Sequence, residues 1–196
     1  KLVADACLHG KVKKTFDVPG AYLKGILEPG DPHIHVRPPK SEQNFLNGVP
    51  LVWGVGTSWY GEVMAGAIWN RTFIKECKSK RRNFCQSEYD PCHIYKIYPD
   101  GGRCDIALYV DDGFATYTPN CSAAKADYDS LMAHYNCKTH DDPKYFLGIN
   151  FDSPSPFKTT MSSSTYLKKA AEEILPKPLC EYRRSATPST DTLFGH

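Results

Sequence analysis

The sequence predicts an α+β domain of ferredoxin-like order, β-α-β-β-α-β, with an antiparallel sheet and helices on one face. Three observations predict it. Residues 11–18 alternate as a strand, and a broad helical apolar stripe follows within residues 59–80. Two apolar segments of period two, at about 104–110 and 114–118, are joined by Asp111-Asp112-Gly113. A second helical pattern, at 121–137, leads into a strand at 144–152. In chain order these make the ferredoxin-like unit, whose second sheet face is left free.

Each element has a local cause. Residues 1–9 read as a short helix stopped at Gly10. In the strand that follows, Val12, Lys14, Phe16 and Val18 share one side, and Pro19-Gly20 ends it. Ile34 and Val36 mark a short strand stopped by Arg37-Pro38-Pro39, and residues 40–50 read as a polar loop. In the 59–80 segment, Ile68, Trp69, Phe73 and Ile74 form the stripe and a basic C-terminal turn suits the helix dipole, while Gly61 and Gly66 weaken the helix. Asp100-Gly101-Gly102 joins strands at 92–98 and 104–110, and Asp112-Gly113 reads as a further hairpin turn. Ala124, Tyr128, Leu131 and Tyr135 are helically spaced. Strands follow at 145–151 and 157–161, and residues 162–164 cap a last helix with Tyr166, Leu167, Ala170 and Ile174 inward. Residues 1–178 are read as one domain and 179–196 as a polar tail.

Composition excludes several classes. In 196 residues, 41% hydrophobic and 23% charged content is enough for a packed core. No apolar run approaches the ~18 residues of a membrane span, and neither a coiled coil nor a repeat array is visible. Residues 1–10 carry no secretory core, so an intracellular setting with eight reduced cysteines is expected. Cys85, Cys92 and His93 come nearest to a metal cluster but lack a fourth ligand. Lys and Arg exceed Asp and Glu by only two, yet Lys75, Lys78, Lys80, Arg81 and Arg82 fall within eight residues. That cluster is either a phosphate-binding face or a solvated helix end.

The candidate chemistry lies in three aspartates. The predicted order brings Asp17 onto a strand neighbouring the turn with Asp111 and Asp112. Carboxylates so placed repel one another unless a cation joins them, and paired Mg²⁺ ions about 3.5–4 Å apart are a known solution. Taken alone, Asp111-Asp112-Gly113 is equally a simple turn.

The surrounding motifs carry a resemblance. Tyr109-Val110-Asp111-Asp112 resembles the polymerase signature of retroelement reverse transcriptases. Asp17-Val18-Pro19-Gly20-Ala21-Tyr22-Leu23-Lys24-Gly25 resembles the DVxxAFLxG motif of copia-type LTR retrotransposons, and Tyr60-Gly61 with Gly66 and Trp69 resembles YGxxQAGRxW. Asp90-Pro91-Cys92-His93-Ile94-Tyr95 is similar to DPCLY, Tyr145-Phe146-Leu147-Gly148-Ile149 to YFLGI, and Thr187-Pro188 to a TP after the last helix. The resemblance implies the palm of an RNA-directed DNA polymerase. Asp17 and Asp111 would then bind Mg²⁺ or Mn²⁺ with Asp112 beside them. Backbone at 18–21, Ala21 included, and the Tyr22 steric gate would face the deoxynucleotide, and Leu147 and Gly148 the primer. RNA template, DNA primer and dNTP would be the partners.

The second motif is degenerate: Met64 stands where the resemblance expects Gln and Ala67 where it expects Arg. A thioether does not reproduce two amide hydrogen bonds, and Ala lacks the guanidinium's donors and charge. Fingers and ribonuclease H regions are not recognised in the sequence. The expected function is therefore a retrotransposon-derived reverse-transcriptase-like domain, ancestrally a two-metal nucleotidyltransferase and inactive as an isolated chain. The alternative is a non-catalytic, retroelement-derived subunit whose partners are the proteins of a larger assembly.

Overall fold

A computed structural model describes residues 1–182 as a mixed α/β chain built on antiparallel sheets. Residues 1–143 with 153–159 form one compact unit; residues 144–152 and the described residues from Thr160 to 182 form a second. Thr187-Pro188 and most of the 179–196 tail lie outside the described residues. Among the described residues, no helix is long and apolar enough to cross a membrane.

The chain opens with α1 (Leu2–Leu8) and β1 (Val12–Asp17), then a 3₁₀ turn at Tyr22–Lys24. Four short strands follow: β2 (Ile34–Val36), β3 (Phe45–Leu46), β4 (Val49–Pro50) and β5 (Trp53–Val55). Helix α2 (Ala65–Cys77) leads to β6 (Cys85–Gln86), β7 (His93–Ile97), β8 (Arg103–Tyr109) and β9 (Asp112–Tyr117). Next come α3 (Ser122–Tyr135), β10 (Lys138–Asp141), β11 (Tyr145–Phe146), β12 (Ile149–Ser155), β13 (Lys158–Ser162) and α4 (Ser164–Ile174). The main sheet has the order β10-β1-β9-β8-β7-β6, and every pairing in it is antiparallel.

The core lies between this sheet and helices α2 and α3. Ile68, Trp69, Phe73 and Cys77 recur at helical spacing and are fully buried, and Phe16, Ile106 and Tyr117 from the strands join Trp69, Phe73 and Cys77 in one cluster. Tyr135 stacks on Phe73 and meets Trp69 edge-on, which locks the two helices to one aromatic cluster. Helix α3 begins at Cys121, whose Sγ accepts from Ala124 N–H, and ends at Asn136 in left-handed conformation.

Several expectations are corrected. The strand after α3 in the main sheet is β10, whereas residues 145–162 make a separate sheet of order β11-β12-β13. β10 reads Lys-Thr-His-Asp and is exposed throughout, so no apolar alternation announced it. It pairs with β1 as an edge, where Lys14 Nζ meets Asp141 Oδ1 at 2.6 Å. The 59–80 helix is trimmed to 65–77, with Gly61 at φ +89° ahead of it. Residues 40–50 carry the β3-β4 hairpin. The Asp112-Gly113 turn is in fact strand: β8 ends at Tyr109, β9 starts at Asp112, and the loop is Val110-Asp111. Gly113 serves close approach, because a Cβ there would lie 2.0 Å from the Phe16 ring. In α4, Tyr166, Leu167 and Ile174 are exposed rather than inward. Arg82 is buried, held by Glu76 and Ser130, so it is not part of a solvated basic end.

The second sheet face is covered, not free. Helix α1 packs on β1 and β9, and Lys13 Nζ donates to Pro156 O at 3.0 Å. Beneath them Asp105, 1% exposed, accepts from Arg103, from Lys11 Nζ at 3.2 Å and from His93 Nε2 at 3.0 Å. Burial alone would raise its carboxyl; the His93 and Arg103 hydrogen bonds and the nearby cations overcome that and hold it well below the usual carboxylate range. A depressed folded pKa contributes stability above the unfolded value near 4, and that stability is lost as pH falls through the folded one. Asp105→Asn is expected to cost about 1.5–3 kcal/mol at pH 7. The deficit should shrink below pH ~3 in urea melts, and a deficit independent of pH would contradict the network.

Candidate active site

The carboxylate hairpin is built by strand register. Asp17 on β1 stands directly opposite Asp112 on β9, and Asp111 occupies the β8-β9 turn. Directly opposed residues share a sheet face with Cβ atoms about 4.5–5.5 Å apart. Val18 N–H donates to Asp111 O at 2.8 Å, which extends the β1-β9 pairing to the turn.

The turn itself is strained. Val110 has φ +56°, a conformation that β-branched residues rarely adopt. A two-residue hairpin loop with positive φ at its first position normally takes glycine there. The surrounding structure holds the strain: Trp69 Nε1 donates to Val110 O at 2.5 Å, and its ring is fully buried. Sequence reasoning missed this tie, since nothing local links residue 69 to residue 110; only the tryptophan of the second motif hinted at it.

No cation neutralises the three acids: none of them makes an ion pair among the described residues. Partial burial raises the Asp112 pKa, and the charges of Asp111 and Asp17 raise it further. Uncompensated carboxylate oxygens are suitable donors for a hard divalent cation such as Mg²⁺ or Mn²⁺. Even so, among the described residues no group of three or more His, Cys, Asp or Glu side chains is already drawn to metal-holding spacing. The donor chemistry fits a cation, and the side chains stand apart from a closed coordination shell.

The remaining site residues fall in two places. Ala21 is buried at the end of the 18–21 segment, and the adjoining 3₁₀ turn presents Tyr22. The Tyr22 ring meets Tyr60 edge-on at 5.3 Å, and Gly66 of α2 leaves it room, since a Cβ there would be 3.9 Å from the ring. The Ser58 hydroxyl, fully buried, donates to Tyr22 O and fastens the turn; Gly25 is needed because a Cβ would meet Ser58 Oγ at 2.3 Å. Ser58 is a further site residue that no motif revealed, whereas Tyr60 belongs to the second motif and gains its role from the contact with Tyr22. Met64 caps α2 at 43% exposure, and Ala67 is exposed one turn on. Leu147 and Gly148 belong to the second unit, where they form the β11-β12 turn with φ +47° and +82°. There Gly148 lies against the Tyr166 ring, 3.6 Å from a would-be Cβ.

Comparison with known proteins adds two findings. The family described as reverse transcriptase (RNA-dependent DNA polymerase) matches residues 1–180. A putative transposon Ty5-1 protein of Saccharomyces cerevisiae is 29% identical over 157 residues, 80% of this chain and 48% of that protein. The chain thus spans about half the length of that relative.

Proposed function

Because the chain belongs to the reverse transcriptase (RNA-dependent DNA polymerase) family, we propose that residues 1–178 are the palm-like domain of a retrotransposon RNA-directed DNA polymerase with weakened nucleotide positioning. The observation that carries the reading is the uncompensated register pair Asp17–Asp112 with Asp111 at the adjoining turn. The strand order β10-β1-β9-β8, with α2 and α3 as crossovers, supports a ferredoxin-like palm.

In this reading Asp17 and Asp111 hold Mg²⁺ or Mn²⁺, with Asp112 as the third acid. Bound divalent ions would supply Lewis-acid stabilisation of the charge that develops when a primer 3′-hydroxyl, losing its proton, displaces pyrophosphate from a deoxynucleotide α-phosphate. The chain's own residues do the positioning. Backbone at 18–21 faces the triphosphate, and the Tyr22 ring, braced by Tyr60, closes the space of a ribose 2′-hydroxyl. Trp69 fixes the turn that presents Asp111 and Asp112. Leu147 and Gly148 contact the primer strand, and RNA template, DNA primer and dNTP are the partners, in an intracellular setting. Met64 and Ala67 supply no amide or guanidinium for the incoming nucleotide, so the isolated chain turns over below detection.

A second reading has its own support. Phe45, Val49 and Trp53, in the β3–β5 strands, are 61%, 63% and 48% exposed, an apolar surface suited to a protein partner. On that reading the domain is a non-catalytic subunit of a larger assembly. Primer extension on an RNA template with Mg²⁺ and then Mn²⁺, with Asp111→Asn as control, tests the proposal. Background extension is expected from the parent chain; robust extension that vanishes in Asp111→Asn would overturn the weakened-positioning part.

A further inference from the structure

We propose that the outer side of α2 carries a second nucleic-acid contact, a basic groove that holds a single-strand phosphate backbone away from the carboxylate hairpin. The groove is an open cavity of about 810 Å³, lined by Arg71, Lys75, Lys78 and Lys80, with Ser79 and Ile74 among its walls. Arg71, Lys75 and Lys78 follow i, i+4, i+7 along one helix face, a row about 10 Å long. A row of that kind tracks successive phosphates on one strand rather than a single compact anion.

The cations divide by their partners. Glu28, the one acid in the groove wall, is shared by Lys75 Nζ at 2.8 Å and Arg71 Nε at 3.4 Å, and Arg71 also holds Asp31. These pairs fix Arg71 and Lys75 in place. Lys78 and Lys80 are exposed and make no ion pair among the described residues, so their charge is available. Ser79 Oγ between them is a buried polar atom without a hydrogen-bond partner. The half-charge of the α2 C-terminus is negative, and the two unpaired lysines, Lys78 and Lys80, outweigh it.

The groove is separate from the candidate active site. Tyr22 and Val110 meet α2 at Gly66 and Trp69, in its first half, and Lys78 follows Trp69 by about 13 Å along the axis. Arg81 and Arg82 do not contribute, because both are spent on Glu76. The contact therefore stands whether or not the carboxylates bind metal.

The test is fluorescence anisotropy of a labelled 20-nucleotide single strand, as RNA and as DNA of the same sequence. It is titrated with the full chain in EDTA from 50 to 200 mM salt. Lys78→Ala/Lys80→Ala is expected to weaken both strands alike and to reduce the slope of log K against log salt by about 1.4, two contacts at about 0.7 each. Arg81→Ala should keep the parent slope, and both variants should melt as the parent does. An unchanged slope in the double variant, an equal loss in Arg81→Ala, or equally tight binding of a poly-glutamate peptide would overturn the proposal.

Discussion

Trp69→Ala is expected to destabilise the first unit by about 3–5 kcal/mol, as large aromatic truncations in packed cores do. The ring is fully buried among Phe73 and Tyr135, at 5.7 and 5.2 Å between ring centres. Removing it leaves a cavity between α2, α3 and the sheet, and it also leaves the Val110 carbonyl without its indole donor. For a chain of this size the loss amounts to roughly 10 °C in Tm. Trp69→Phe shifts the balance between the two effects: it keeps one aromatic ring in the core and removes the N–H with the rest of the indole. It should cost about 1–3 kcal/mol and relax the turn that carries Asp111. An alanine variant that melts with the parent would contradict the packing, and a phenylalanine variant without cost would show that the turn holds its positive φ unaided.

Extension activity is the second large effect. The parent chain is expected at background, and Met64→Gln/Ala67→Arg is expected to raise primer extension by on the order of 10², because one positioning contact can be worth that much. Both side chains are exposed, so the longer groups have room without repacking the core. The added Gln supplies an amide donor and acceptor, and the added Arg a fixed fork of donors for triphosphate oxygens. Combining the pair with Asp111→Asn should return the signal to background. No gain in the double variant would place the deficit elsewhere than in the second motif.

What the sequence made legible follows from where the information is local. Apolar spacing at Ile68, Trp69 and Phe73, and again at Tyr128, Leu131 and Tyr135, located both core helices, because burial on a helix imposes its own period. The Asp17, Asp111 and Asp112 candidates came from motif and element order, and the β1-β9 register sets Asp17 opposite Asp112. Strand β10 escaped because an edge held by backbone pairing and a Lys14–Asp141 ion pair needs no apolar residues. The Val110-Asp111 loop escaped because Asp112-Gly113 mimics a hairpin turn, while Gly113 is there to admit the Phe16 ring. The Asp105 network escaped for another reason: buried charges are paired across strands and helix α1, and single-sequence periodicity is blind to such pairs.

On the proposed reading, Asp17, Asp111 and Asp112 form one cation site. Thermal melting of the parent chain with increasing Mn²⁺ tests it most directly, since a ligand that binds only the folded chain raises Tm by mass action. A saturable rise of about 2–4 °C is expected in the parent. No such rise is expected in Asp17→Asn or Asp111→Asn, each folded as the parent in the absence of metal. An equal Mn²⁺ rise in the parent and both variants, or none in any of them, would contradict that reading.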